Sequence, residues 1–282
     1  MILFKNAGEL TKYLKTKSDA GISIGFVPTM GALHAGHLEL LRVCRQQSSL
    51  SVASIFVNPT QFNDPADLAK YPITTETDIL QLEQAGCDVL FLPPVQEVYP
   101  NGTAHLPSFD LGPLEMIWEG KYRPGHFQGV CQVMDRLLQV VMPDRLFMGQ
   151  KDYQQCMVIR RLIELRQWDI KLIMVPTVRE ASGLAMSSRN TRLNEEEREK
   201  ATAIFRSMTD LKTRIVPGKL SFLTDSMQEQ LLAAGFEKLD YAAIADARTL
   251  EPVTDWDGVQ PLVTLVAAFI GGVRLIDNMP VT

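Results

Sequence analysis

A chain of 282 residues with 46% hydrophobic and 22% charged side chains has ordinary globular statistics, exceeds the usual single-domain size and can bury a sizeable core. Its net charge of -5 argues against the clustered basic face that phosphate-backbone recognition needs, so a small molecule, not nucleic acid, is the expected partner. The longest apolar run, residues 261–273, is too short to cross a bilayer and contains Gly271 and Gly272, so no membrane role is expected.

Along the chain, Lys5 and Glu9 interrupt the N-terminus and no small-residue cleavage site follows an apolar core, which predicts that the protein stays in the cytoplasm. Apolar, β-rich runs at 22–27, 50–57, 89–92, 145–148 and 170–175 read as strands. Between them, 34–47, 75–85, 127–140 and 153–166 carry apolar residues at helical spacing. This alternation predicts an α/β domain, a Rossmann-like doubly wound parallel sheet, over 1–176. Beyond it the pattern changes to helices at 195–214 and 221–234 and strands at 239–245 and 262–270, a smaller α+β domain expected over 177–282. The cysteines, Cys44, Cys87, Cys131 and Cys156, show no C-x-x-C spacing and read as reduced, buried thiols.

The strongest local signal is Pro28-Thr29-Met30-Gly31-Ala32-Leu33-His34-Ala35-Gly36-His37, where the first strand hands over to a helix. Ligands of open α/β sheets bind at the carboxyl ends of strands. Two imidazoles three residues apart share one helix face, beside unpaired N–H groups and the positive dipole end, and a glycine between them leaves room for a ligand. That is an anion site. Two other readings compete: a zinc helix, which would want His-Glu-x-x-His and a third ligand, and a pair of satisfied structural histidines. Two further polar clusters lie at later loops, Gly149-Gln150-Lys151-Asp152-Tyr153-Gln154-Gln155 and Met186-Ser187-Ser188-Arg189-Asn190. A lysine and a fork-shaped guanidinium beside hydroxyls suit phosphate, although each cluster alone also reads as a solvated loop. Neither a Walker A motif nor GxGxxG is present, which removes the usual support for P-loop phosphoryl transfer and dinucleotide redox chemistry.

Taken with Ser54-Ile55-Phe56-Val57-Asn58-Pro59-Thr60-Gln61-Phe62 and Tyr122-Arg123-Pro124-Gly125-His126-Phe127, these segments, in this order, resemble the motif series of the pantothenate synthetase family, within the HxGH nucleotidyltransferase superfamily. The resemblance runs from about residue 26 to 192 and is weaker beyond. It implies ATP-dependent condensation of (R)-pantoate with β-alanine through pantoyl adenylate, giving pantothenate, AMP and pyrophosphate. By that resemblance His34, His37 and Lys151 are catalytic, with His37 the proton donor. The nucleotide site runs from Met30 through Gly31, Ala32, Leu33, His34, Ala35 and Gly36 to His37. It continues with Gly149, Gln150, Lys151, Asp152, Val178, Met186, Ser187, Ser188 and Arg189. Gln61 and Gln155 would bind pantoate, Pro28 and Met30 would form an apolar wall, and Gln61 would also meet β-alanine.

Mg2+ would accompany ATP, with Asp78 a candidate partner through water, or else an N-cap. The resemblance further implies a homodimer and a C-terminal lid, and Arg123 and His126 would support the loop around the substrates. Gln150 departs from the family, which often has Glu there. The alternatives are a nucleotidyltransferase acting on a phosphorylated acceptor, which would need a further basic pocket, and a non-catalytic ATP-binding sensor, which would have lost His34, His37, Lys151 or Arg189.

Overall fold

The computed structural model describes residues 1–61 and 71–282, so Phe62 of the second motif lies outside the described residues. The chain forms two compact units, one of Met1–Gly149 with Gln155–Pro176, the other of Gln150–Gln154 with Thr177–Thr282.

In the first unit β1 (Ile2–Phe4), β2 (Ile24–Thr29), β3 (Leu50–Ile55), β4 (Val89–Phe91), β5 (Arg145–Gly149) and β6 (Lys171–Val175) make a six-stranded sheet in the order β1-β4-β3-β2-β5-β6. Every pairing is parallel. Successive side chains point to opposite faces, and the apolar residues divide accordingly. Phe26, Val52, Val89, Phe91, Leu146 and Met148 enter one core, with α1 (Ala7–Asp19), α4 (His126–Val141) and α5 (Tyr153–Arg166). Their neighbours Val27, Ala53, Leu90 and Phe147 enter the cores under α2 (Ala35–Gln47) and α3 (Thr75–Gln84). Burial on both faces is why these strands read as apolar runs, and the doubly wound expectation is met.

Sequence reading passed over β1, whose three residues are too few for a pattern, and α1. The helix carries its own signals: Asn6 accepts from Glu9 N at its start, and Leu10 and Leu14 sit one turn apart in the core. From β2 the chain winds outward through β3 and β4, then returns to β5 and β6 on the other side. The winding therefore reverses between β2 and β5, the place where open α/β sheets bind ligands. Of β2 only Gly25 and Phe26 pair with β5, so Pro28, which has no N–H to donate, stands beyond the last rung on that side.

The second unit holds an antiparallel sheet in the order β11-β10-β8, from β8 (Lys238–Asp246), β10 (Leu262–Ile270) and β11 (Val273–Pro280), besides a short pair β7 (Gly218–Lys219) and β9 (Asp255–Trp256). Gly271 and Gly272, at φ 56° and 67°, make the two-residue turn from β10 to β11 that needs left-handed backbone at both positions. β11 was not foreseen because Arg274, Asp277 and Asn278 break its apolar alternation. The helix expected over 195–214 is two helices, α6 (Glu195–Ala201) and α7 (Ala203–Arg214). At the break the Thr202 hydroxyl donates to Glu199 O at 2.6 Å, a local bond that competes with helix continuation. These helices and α8 (Ser221–Ala233) share a core with Val266, Ala268 and Leu275 of the sheet.

Candidate active site

The loop after β2 is shaped from beneath by one buried carboxylate. Gly31 and Ala32 both have left-handed backbone, φ 82° and 50°, which turns the N–H groups of Ala32 and Leu33 inward. Asp78 accepts both, at 2.9 Å each, and the Thr74 hydroxyl bonds both of its oxygens at 3.1 Å. A Cβ on Gly31 would come within 2.9 Å of that carboxylate. Asp78 is thus not the cap of its own helix, where Thr74 holds the N-cap position, and both of its oxygens are engaged in holding the loop.

His34 is the N-cap of α2, and the two histidines cap each other's backbone. His34 Nδ1 accepts from Gly36 N at 3.1 Å, and His37 Nδ1 accepts from His34 N at 3.3 Å. The rings lie 4.1 Å apart. Two helix-end donors that the sequence suggested for an anion are therefore already used, one by each ring. An Nδ1 that accepts has no proton, so in both neutral rings the proton is on Nε2.

Gln61 closes a short turn, Pro59–Gln61, and its amide donates to Met30 Sδ at 2.8 Å, so the β2 loop and this second motif meet. Asn58, 1% exposed, holds the turn: Nδ2 donates to Gln61 Oε1 at 3.1 Å and to Gly129 O at 3.2 Å, and Oδ1 accepts from the Tyr99 hydroxyl at 2.7 Å. Burial pushes the Tyr99 phenol up to about 12, which keeps it a donor across the neutral range. Behind the turn, His126 Nδ1 bonds Gln61 O at 3.0 Å while its Nε2 faces Arg123 at 3.0 Å. Arginine can only donate, so the His126 proton sits on Nδ1 and the residue supports the Gln61 backbone. Gly129 on α4 allows the approach, since a Cβ there would lie 2.3 Å from Thr60 O. Sequence reading overlooked Gly129 and Tyr99; a glycine inside a strongly apolar helix was the available signal for Gly129. Gln155 is half-buried in the first turn of α5, and Gly149 ends β5.

In the second unit Lys151, Ser187 and Arg189, brought from two separate motifs, line one pocket together with Asn190 and Asp277. Val178 and Met186 face each other across a small hairpin, Met186 N donating to Val178 O at 3.0 Å. Ser187 caps the turn Ser188–Arg192 by accepting from Arg189 N at 3.2 Å, and Ser188 O accepts from the Thr191 hydroxyl. Asn190, 4% exposed, donates to Glu180 and to Ala185 O, whereas its Oδ1 has no partner among the described residues. The Lys151 ammonium lies 3.7 Å from Asp152, which is exposed. Among the described residues the Arg189 guanidinium has no side-chain hydrogen bond or ion pair. Neighbouring Arg198, in contrast, is forked onto Glu180 at 2.8 Å.

The chain matches the family described as pantoate-beta-alanine ligase over residues 2–280. It is 42% identical over 275 residues to a pantothenate synthetase of Bacteroides fragilis, covering 96% of this chain and 95% of that protein. To that of Cytophaga hutchinsonii it is 40% identical over 281 residues, 99% of both. Among solved structures, pantothenate synthetase from Thermus thermophilus superposes with a TM-score of 0.89 at 40% identity, covering 100% of this chain and 99% of that one. A pantoate-beta-alanine ligase from Francisella tularensis, complexed with beta-gamma ATP and beta-alanine, gives 0.79 at 35% identity, covering 100% and 98%.

Proposed function

The chain belongs to the pantoate–β-alanine ligase family, and on that premise we propose how its residues divide the work of the reaction. That reaction is the ATP-dependent ligation of pantoate to β-alanine. It runs in two steps. The pantoate carboxylate attacks the α-phosphorus of ATP, pyrophosphate leaves, and pantoyl adenylate forms. The β-alanine amine then attacks the acyl carbon, AMP leaves, and pantothenate results. Adenylation replaces a hydroxide leaving group with a phosphate, which splits one difficult amide-forming step into two.

The observation that carries the assignment is the convergence of Lys151, Ser187 and Arg189 on one pocket, with a guanidinium that no side chain among the described residues engages. Lys151 and Arg189 neutralise the phosphates, Ser187 and Ser188 add hydroxyl donors, and Gly149, Gln150, Asp152, Val178 and Met186 surround the rest of the nucleotide. His34 and His37 serve as Nε2–H donors toward charge developing at the α-phosphate, beside the loop Met30 to Gly36. Proton donation by His37, the role the resemblance gives it, fits less well. A doubly protonated ring would turn an Nδ1–H against the His34 N–H it now accepts. Gln61 and Gln155 bind pantoate through uncharged amides, against Pro28 and Met30, and Gln61 also meets β-alanine.

Mg2+ enters with ATP as its counter-ion. Both Asp78 oxygens are engaged, and no group of three His, Cys, Asp or Glu among the described residues could hold a metal, so no protein-built metal site is assigned. The second unit serves as a lid against adenylate hydrolysis, the enzyme is a homodimer, and its four buried thiols suit a reducing cytoplasm.

The test is release of AMP and pyrophosphate from MgATP with pantoate alone, with β-alanine alone and with both, alongside His37→Ala. Sustained AMP formation only with both substrates, largely lost in the variant, supports the assignment. Turnover unchanged in His37→Ala would remove the histidine from the chemistry, and release of pantoyl adenylate to solvent without amine would remove the lid role.

A further inference from the structure

Residues Gln150–Gln154, the turn after β5 and the first two residues of α5, belong to the second unit, and the turn is gripped by its backbone. Asn278, on β11 and 1% exposed, donates both amide hydrogens to main-chain carbonyls, those of Gln150 and Lys151, each at 2.8 Å. That fixes the orientation of its carboxamide, so Oδ1 faces the other way and accepts from Gln150 Nε2 at 3.2 Å. Every donor of the side chain is thus used on one three-residue turn, Gln150–Asp152. Asn278 is itself held: its backbone N–H donates to Asp277 at 2.8 Å, and Asp277 is forked by Arg179, whose guanidinium stacks 4.4 Å from the Phe205 ring centroid. No other side chain reproduces this. Aspartate has no hydrogens to give, serine has one, and alanine leaves the Gln150 and Lys151 carbonyls without their donor.

We propose that Asn278 is a positioning residue for Lys151, its carboxamide fixing the turn that presents the lysine ammonium to the nucleotide phosphates. The proposal rests on the reading of Lys151 as a phosphate-holding residue, and it adds a position about 130 residues away in sequence, on a strand that carries none of the recognised motifs. Asn278 touches neither substrate nor reacting atoms in this role. It acts through the geometry of a backbone.

A double-mutant cycle separates this from a role in general stability. Steady-state kcat and KM for ATP and for pantoate are measured from AMP release in the wild type, Lys151→Ala, Asn278→Ala, Asn278→Ser and the double variant Lys151→Ala with Asn278→Ala. Asn278→Ala is expected to lower kcat/KM for ATP about tenfold, with KM for pantoate within about twofold of wild type. Asn278→Ser, keeping one donor, should fall between, and it carries the test if the alanine variant does not fold. In the Lys151→Ala background, removing Asn278 should cost less than about twofold more, because the group it positions is gone. An equal loss in both backgrounds, or no loss from either Asn278 variant, overturns the proposal while leaving the Lys151 reading intact. Undiminished turnover in Lys151→Ala alone would instead overturn the reading on which it rests.

Discussion

The loop after β2 and the Gln150–Asp152 turn are each held by one buried side chain from far along the sequence, but they are held by opposite chemistry. Asp78 is an acceptor that gathers N–H groups, while Asn278 gives its hydrogens to carbonyls. In the first region both histidine Nδ1 atoms accept a backbone N–H, which leaves Nε2–H as the donor of each neutral ring. A neutral amide beneath the second adds no charge of its own beside Lys151. The contrast teaches a division of labour: one region contributes directed neutral donors and the other contributes cations.

The sharpest way to break this comparison is at Asp78. Its replacement by alanine leaves the N–H groups of Ala32 and Leu33 without acceptors in a buried setting, and is expected to cost about 3 kcal/mol in urea-induced unfolding. If Asp78 instead served a metal, stability would hold and the activity loss would recover with added Mg2+. Next in size is the histidine test. His37→Ala should lower kcat roughly a hundredfold, the scale of removing one transition-state donor, whereas His37→Gln keeps a side-chain N–H and should recover part of it. A glutamine variant as inactive as alanine would restore proton donation to His37 and undo the neutral-donor half of the comparison.

A smaller effect is expected where helix α4 supports the Gln61 turn. Gly129→Ala places a methyl group against Thr60 O and the Gln61 backbone, which must shift. KM for pantoate should rise about tenfold, with overpacking costing roughly 1–3 kcal/mol, while KM for ATP stays within about twofold. A rise in KM for ATP of the same size would mean that Gln61 does not serve the pantoate side.

The halves of the comparison were unequally legible in the sequence. His34, His37, Lys151 and Ser187 to Arg189 announce themselves because their chemistry is carried by short, contiguous motifs. The doubly wound sheet was legible for a similar reason, since strands buried on both faces become apolar runs. What holds those motifs was not legible. Asp78 meets Leu33 across 45 residues, and Asn278 meets Gln150 across 128, distances that no local pattern encodes. Buried polar residues also hide the elements that carry them: β11 was missed because Asp277 and Asn278, which make the grip, break the apolar alternation by which strands are found.

The mildest perturbation concerns Gln150, where the family resemblance leads one to expect Glu. Since Asn278 Nδ2 is committed to the backbone, Asn278 Oδ1 faces residue 150, and a glutamate would set acceptor against acceptor where Gln150 now donates. Gln150 is only half-buried, however, so the carboxylate can turn toward solvent and leave both carbonyl contacts intact. What then remains is one added negative charge near Lys151, where the ATP phosphates are held. Gln150→Glu should accordingly raise KM for ATP only about two- to fivefold, and the increase should shrink as ionic strength rises. A salt-independent loss as large as that of Asn278→Ala would place Gln150 inside the grip itself, so that the turn is held by a side-chain pair in addition to its backbone.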